Sequence, residues 1–238
     1  MQIYVKIFIM DLKNKVIVIT GGSKGFGKTL AKLFIENGSN VVINSNNETE
    51  IKEVANEIGA MGVCADVTKE EELTSLLNNV LEKFGCIDIW INNAGIWLPH
   101  KPIEETDWVR AHDLIEVNLF GLVYGSKISL SQMRKQGFGL IINILSTSAL
   151  EGKINETAYC SSKFAAMGFT KSLKKEVDGN NIKIMAIYPG GMQTNLFDEA
   201  KPEKYEKFMT TEYVANLVIE NLKLENPEEE LVIKNREN

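Results

Sequence analysis

The sequence predicts an α/β fold, a doubly wound parallel sheet of about seven strands with helices on both faces. Three observations predict it. Short β-branched runs alternate with stretches of helical periodicity from Val16 to Leu222, a pattern that calls for right-handed βαβ crossovers. The 238 residues are 44% hydrophobic and 24% charged, values that suit a large buried core and exclude collagen-like, disordered and disulfide-stapled chains. Finally, Thr20, Asn92, Ser146 and Pro189 each sit just past a strand, so they share the carboxyl rim where such sheets hold their ligands.

The elements follow in order. Val16-Ile-Val-Ile19 is a buried strand that runs into the tight loop Thr20-Gly21-Gly22. After Gly27, Leu30, Leu33 and Phe34 recur at helical spacing until Asn37-Gly38 stops the helix. Val41 to Ile43 is the second strand, Glu48 to Ile58 a helix, Met61 to Ala65 a strand, and Glu70 to Phe84 a helix ended by Gly85. Ile87 to Ile91 is the next strand, followed by a long helix over Asp113 to Lys135. Leu140 to Leu145 and Ile182 to Ile187 read as strands, Ala158 to Val177 and Thr211 to Leu222 as helices. Glu225 to Glu230 reads as a solvated acidic turn before the apolar run Leu231-Val-Ile233. There are no repeats or low-complexity linkers. One domain is expected over residues 11–238, with residues 1–10 an N-terminal extension or extra edge strand.

Composition narrows the partners. The net charge of −6 speaks against nucleic acid and anionic lipid. No run approaches the roughly 18 apolar residues of a membrane helix. Cys64, Cys86 and Cys160 lack metal-ligand spacing and read as reduced thiols of a cytoplasmic protein. The two histidines, His100 and His112, cannot build a histidine-rich metal site, so no metal is expected.

The loop Thr20-Gly-Gly-Ser-Lys-Gly-Phe-Gly27 joins a strand to a helix. Gly21 permits the turn, Gly25 lets backbone approach a pyrophosphate, and Gly27 allows close packing, with the helix N-terminus facing negative charge. Alone, this is also how an ordinary glycine-rich turn looks. The second strand leaves through Asn44-Ser45-Asn46-Asn47, with no carboxylate before Glu48 to bind a ribose 2′-hydroxyl. A 2′-phosphate would meet donors there, and Lys24 adds a cation, so NADP(H) is expected over NAD(H), with NAD(H) possible.

Tyr159 and Lys163 stand at i and i+4 near the start of a helix, on one face. A free tyrosine has a pKa of about 10. A nearby ammonium and the positive ring of an oxidised nicotinamide are expected to favour the phenolate. Of the six tyrosines, Tyr159 alone has a lysine four residues on.

The spacing Gly21-x-x-x-Gly25-x-Gly27, with Ser146 preceding Tyr159-x-x-x-Lys163, resembles the short-chain dehydrogenase/reductase family, over about Asp11 to Lys234. The resemblance implies a Rossmann-type fold and a hydride transfer between nicotinamide and a carbonyl or alcohol. It implies Asn118, Ser146, Tyr159 and Lys163 as the catalytic set, with Ser146 orienting the substrate oxygen and Asn118 holding a relay water. Asn143-Ile-Leu-Ser146 departs from the family's Asn-Ile-Ser-Ser at Leu145, which favours Ser146 over Ser148. Cofactor contacts are implied at Gly21, Ser23, Lys24, Gly25, Phe26, Gly27, Ser45 and Asn46. They are also implied at Asp66 and Val67 for the adenine, at Asn93, Ala94 and Gly95 beside the nicotinamide, and at Pro189, Gly190, Met192 and Thr194 for the carboxamide. Tyr159 and Lys163 would touch the cofactor as well.

Substrate walls are expected from Ile96-Trp-Leu98, Ser148-Ala-Leu150 and a lid over Asn195 to Phe208, with Lys101 or Lys204 as candidate partners for an acidic group. The resemblance implies a homodimer or homotetramer. The ending after Lys234 resembles the short NADP-dependent 3-hydroxy-acid or carbonyl reductases more than 3-oxoacyl-carrier-protein reductases. A cofactor-binding regulator that has lost catalysis is the competing reading. Retention of all four catalytic positions speaks against it.

Overall fold

Alternate residues of each central strand face two different hydrophobic layers. In β1 (Val16–Ile19), Ile17 and Ile19 point into one layer and Val16 and Val18 into the other. The computed structural model describes residues 10–234 apart from 178 and 180, so the extension expected at the N-terminus lies outside the described residues except for Met10. Met10 packs against the first layer.

The loop after β1 enters α1 (Gly25–Glu36), followed by β2 (Asn40–Ser45), α2 (Glu48–Ile58), β3 (Met61–Cys64), α3 (Glu70–Phe84) and β4 (Ile89–Asn92). Then come α4 (Trp108–Ile115), α5 (Gly121–Gln136), β5 (Gly139–Ile144), α6 (Thr157–Glu176), β6 (Ile182–Pro189), α7 (Thr211–Leu222) and β7 (Glu230–Ile233). The seven strands pair in parallel in the order β3-β2-β1-β4-β5-β6-β7, a Rossmann-like α/β sheet. The order reverses between β1 and β4, which opens a crevice at their carboxyl ends. Leu30, Phe34, Ile51 and Val218 cover one face; Leu73, Leu76, Met133 and Leu173 cover the other.

Boundaries differ from the sequence-based expectation where side chains intervene. The helix expected from Asp113 starts at Trp108, because the Asp107 carboxylate accepts from the Val109 and Arg110 N–H groups. It is then interrupted by a π-helical turn over Glu116–Phe120. Asn92 and Pro189 are the last residues of their strands rather than the first beyond them. Glu230, read as part of the acidic turn, begins β7 and pairs with Ala186.

Candidate active site

The glycine loop is held from below by polar groups of the rim. Gly21 takes a positive φ of 63°, and a Cβ there would lie 2.8 Å from the Ala94 Cα. A Cβ on Gly27 would lie 2.4 Å from the Gly21 carbonyl oxygen and 2.5 Å from Asn93 Nδ2. Asn93 itself donates to the Thr20 and Gly21 carbonyls, while Thr20 Oγ1 accepts from the Asn93 and Ala94 N–H groups. The loop is thus stitched to the end of β4.

Lys24 occupies the N-cap of α1 without capping it, and the first turn has no acidic residue. Its free N–H groups and the helix dipole suit a phosphate. Together with glycines too close to their neighbours for any side chain, this donor set fits a nicotinamide dinucleotide.

A cleft of about 690 Å³ runs from this loop along the sheet rim. Every expected cofactor residue lines it, from Gly21 to Thr194, and so do Ser146, Tyr159 and Lys163. Asn118 does not. Its side chain is buried and committed to the Ile96 backbone, accepting from the N–H at 2.8 Å and donating to the carbonyl at 2.9 Å, with Ser162 Oγ 3.2 Å away. It lies within the π turn, a widened helical turn of the kind that recurs at functional sites.

Asn44, next to the expected Ser45 and Asn46, is fully buried and structural, accepting from Gly21 N–H and donating to the Ala65 carbonyl. Asp66 accepts from Thr68 N–H and Oγ1, which fixes the rim after β3. Lys24 reaches back to Glu50, with Nζ 3.6 Å from Oε1. In the sequence Glu50 is one more carboxylate of a helix start, and the pairing exists only once α2 folds beside the loop.

At the other end, Ser146 Oγ accepts from the Ser148 N–H at 3.1 Å, which leaves its own proton to donate. Lys163 is 5% exposed, its Nζ donates to the Ile144 carbonyl at 3.3 Å, and it lies 5.8 Å from the Tyr159 ring centroid. Burial lowers the Lys163 pKa to about 8. Burial also pushes Tyr159 well above the ordinary tyrosine value, against a Ser146 hydrogen bond that lowers it and nearby Glu156 and Cys160 that raise it further. Desolvation dominates at both groups and favours both neutral forms.

The family model described as short chain dehydrogenase matches residues 15–205. The chain belongs to the short-chain dehydrogenase family. It is therefore an oxidoreductase of CH–OH and C=O groups that works with a nicotinamide cofactor. This dehydrogenase is 31% identical over 235 residues to an uncharacterized oxidoreductase of Staphylococcus saprophyticus, covering 93% of this chain and 94% of that one. It superimposes on a 3-ketoacyl-(acyl-carrier-protein) reductase from Brucella melitensis complexed with NADH with a TM-score of 0.85, at 26% identity, covering 93% and 97% of the two chains. An alcohol dehydrogenase from Thermococcus sibiricus complexed with 5-hydroxy-NADP gives a TM-score of 0.82 at 27% identity, covering 94% and 99%.

The substrate end of the dehydrogenase is lined by Ile96, Trp97, Leu98, Ser148, Met192 and residues of the expected lid, but not by Ala149 or Leu150. The Trp97 ring meets Phe197 edge-on at 5.0 Å, and Phe197 meets Phe208 at 5.7 Å. Neither Lys101 nor Lys204 lines the cleft. Besides Lys24 and Lys163, the lysine and arginine side chains that do are Lys153 and Arg110, and Arg110 is gripped by both carboxylate oxygens of Glu199. His100, considered in the sequence only as a metal ligand, and Glu156 line the same end. Among the described residues no group of histidine, cysteine and acidic side chains is placed to hold a metal, and no helix is long and apolar enough to cross a membrane. The three cysteines are free.

Proposed function

We propose that this dehydrogenase interconverts a secondary alcohol and its ketone, or an aldehyde and its alcohol, with Tyr159 as the general acid and base. The observation that carries the reading is the meeting of Ser146, Tyr159 and Lys163 at one end of a cleft whose other end is a phosphate-ready helix terminus. The nicotinamide, when bound, supplies or accepts the hydride. Ser146, its acceptor side engaged by Ser148 N–H, donates to the substrate oxygen and orients it. In reduction Tyr159 Oη gives its proton to that oxygen; in oxidation it removes the alcohol proton. Lys163, held at the Ile144 carbonyl, stabilises the phenolate that reduction leaves behind. Asn118 is a positioning residue that fixes Ile96 at the cleft wall.

The α1 N-terminus and Gly21, Ser23, Gly25, Phe26 and Gly27 would hold the pyrophosphate. Asp66 and Val67 would hold the adenine, with Asn93, Ala94 and Gly95 and then Pro189, Gly190, Met192 and Thr194 around the nicotinamide. Lys24, Ser45 and Asn46 offer a cation and neutral donors to a 2′-phosphate, which supports NADP(H) as the preferred cofactor with NAD(H) accommodated. Phe120 and Phe164, about 39% exposed on the Asn118 and Tyr159 helices, support assembly as a homodimer or homotetramer through that face.

A panel of ketones, aldehydes and 3-oxo esters, run with NADPH and NADH, tests the reading. Turnover is expected, and Tyr159→Phe should lower it by about 10²–10⁴-fold while cofactor affinity stays within about threefold. Tight NADPH binding with no turnover on any member would instead favour a catalytically silent regulator.

A further inference from the structure

Glu156 stands at the N-cap of α6, yet its side chain caps nothing. A carboxylate at a helix start ordinarily turns toward the helix's own free N–H groups. This one turns toward the cleft. Its Oε1 lies 2.9 Å from His100 Nε2, and its Oε2 accepts from Ser148 Oγ at 3.3 Å. The Glu156 side chain is only 11% exposed and Ser148 is buried, and all three residues line the cleft that holds Ser146 and Tyr159.

An ionised carboxylate offers about four lone-pair sites. His100 and Ser148 occupy two, so acceptor capacity remains in a nearly dry place. Ser146 and Ser148 share one short turn, with the Ser148 N–H bonded to Ser146 Oγ. The free acceptors therefore lie beside the position expected for the reacting oxygen. Aromatic side chains adjoin this cluster: Trp97 meets His100 edge-on at 5.1 Å and Phe197 at 5.0 Å.

We infer that Glu156, braced by His100 and Ser148, is the substrate-discriminating residue of this dehydrogenase, and that it selects a hydroxyl on the carbon next to the reacting one. The substrate class is a vicinal diol or the matching α-hydroxyketone. This rests on the Tyr159-centred reading of the site. The neighbouring hydroxyl donates to the free carboxylate lone pairs. A plain ketone or an acyl chain has no donor for them and leaves a desolvated carboxylate short of partners, the situation in which a binding site rejects an analogue most strongly.

Binding is measured by calorimetry on Tyr159→Phe protein saturated with whichever of NADP+ and NAD+ binds more tightly, so that turnover does not intrude. The probes are cyclohexanol and trans-1,2-cyclohexanediol. The diol is expected to bind at least about tenfold more tightly, and Glu156→Gln should bring the ratio to within about twofold. Ser148→Ala, a milder change, should lower the ratio by about threefold, and cofactor affinity reports whether each variant is folded. Equal affinity for the two probes, or a ratio that survives Glu156→Gln, overturns the inference. Diol-selective binding in a wild-type enzyme that never reduces cofactor with the diol would leave the inference standing and sink the Tyr159 mechanism instead.

Discussion

Lys24 Nζ stands 3.6 Å from Glu50 Oε1, so the cation nearest the expected 2′-phosphate position already has an anionic neighbour. Lys24 is 62% exposed on its side chain, which limits the pair to about 0–1 kcal/mol. Lys24→Ala should weaken NADPH binding by about tenfold and NADH binding by less than twofold. Glu50→Gln removes the competing anion and should tighten NADPH by about threefold, an effect that shrinks as salt is raised. Fluorescence titration of both cofactors reads this directly. If NADH tightens as much as NADPH in Glu50→Gln, the two residues do not set cofactor choice.

Lys163 is a buried cation held by one carbonyl, and its pKa is lowered to about 8 by desolvation. A lysine that binds protons less well folded than unfolded destabilises the fold below that value. Stability from this group should therefore rise with pH between about 8 and the unfolded value near 10.4. Tyr159, shifted upward, works in the opposite sense above about pH 10, where the unfolded phenol ionises first. Lys163→Met should accordingly raise the Tm of the cofactor-free protein at pH 7 by about 4–8 °C and abolish turnover. A fall in Tm would mean that the hydrogen bond to Ile144 outweighs desolvation.

How much of this was legible in the sequence depends on range. The β-branched runs and the glycine stops announced the sheet, because buried parallel strands need such residues whatever surrounds them. That Ser146, Tyr159 and Lys163 would meet on one rim was legible from the strand end, the helix spacing and the family resemblance together, and all three line one cleft. The π turn at Asn118 and the start of α4 at Trp108 were not. Helical periodicity runs through both, and only the Ile96 backbone and the Asp107 cap reveal them. Glu50 and Glu156 look like ordinary helix-start carboxylates until folding brings Lys24, His100 and Ser148 beside them. Likewise, the i, i+4 spacing of Tyr159 and Lys163 gave their proximity but not the dryness that controls both pKa values.

Gly27 offers a steric test of the loop. A methyl group there would overlap the Gly21 carbonyl and the Asn93 amide, both fixed by the rim hydrogen bonds. Gly27→Ala should cost about 1–3 kcal/mol of stability and weaken both cofactors by more than tenfold, since the loop must move to make room. Gly59→Ala is the contrasting case. Its Cβ meets nothing within 4 Å, and its φ of 76° leaves only the backbone strain of about 1 kcal/mol. Denaturant unfolding of the pair separates the two mechanisms. Comparable losses at both positions would show that the packing at Gly27 is not decisive.

Asn92 ties β4 to β5 and α5 through a network in which each of its amide atoms has a partner. Its Oδ1 accepts from Trp90 Nε1 at 2.8 Å, and its Nδ2 donates to Ser126 Oγ at 2.9 Å and to Asn143 Oδ1 at 2.8 Å. Asn143 passes the chain on to Thr170 in α6. All five side chains are 3% exposed or less, so no water replaces a lost partner. Asn92→Ala should therefore destabilise by about 2–4 kcal/mol, more than a lone hydrogen bond, because the indole and the Asn143 carbonyl are left unpaired. Asn92→Asp keeps the shape but sets an acceptor against Asn143 Oδ1. Protonated, the new carboxyl can donate there; ionised, it cannot. Burial and that opposed oxygen raise its pKa, so the folded state binds the proton more tightly than the unfolded one. The variant should be close to wild type at pH 4 and lose stability progressively as pH rises toward 7. Urea midpoints at the two pH values, taken against wild type, measure the difference. An equal loss at both would mean that Asn143 turns its amide over and accommodates the carboxylate.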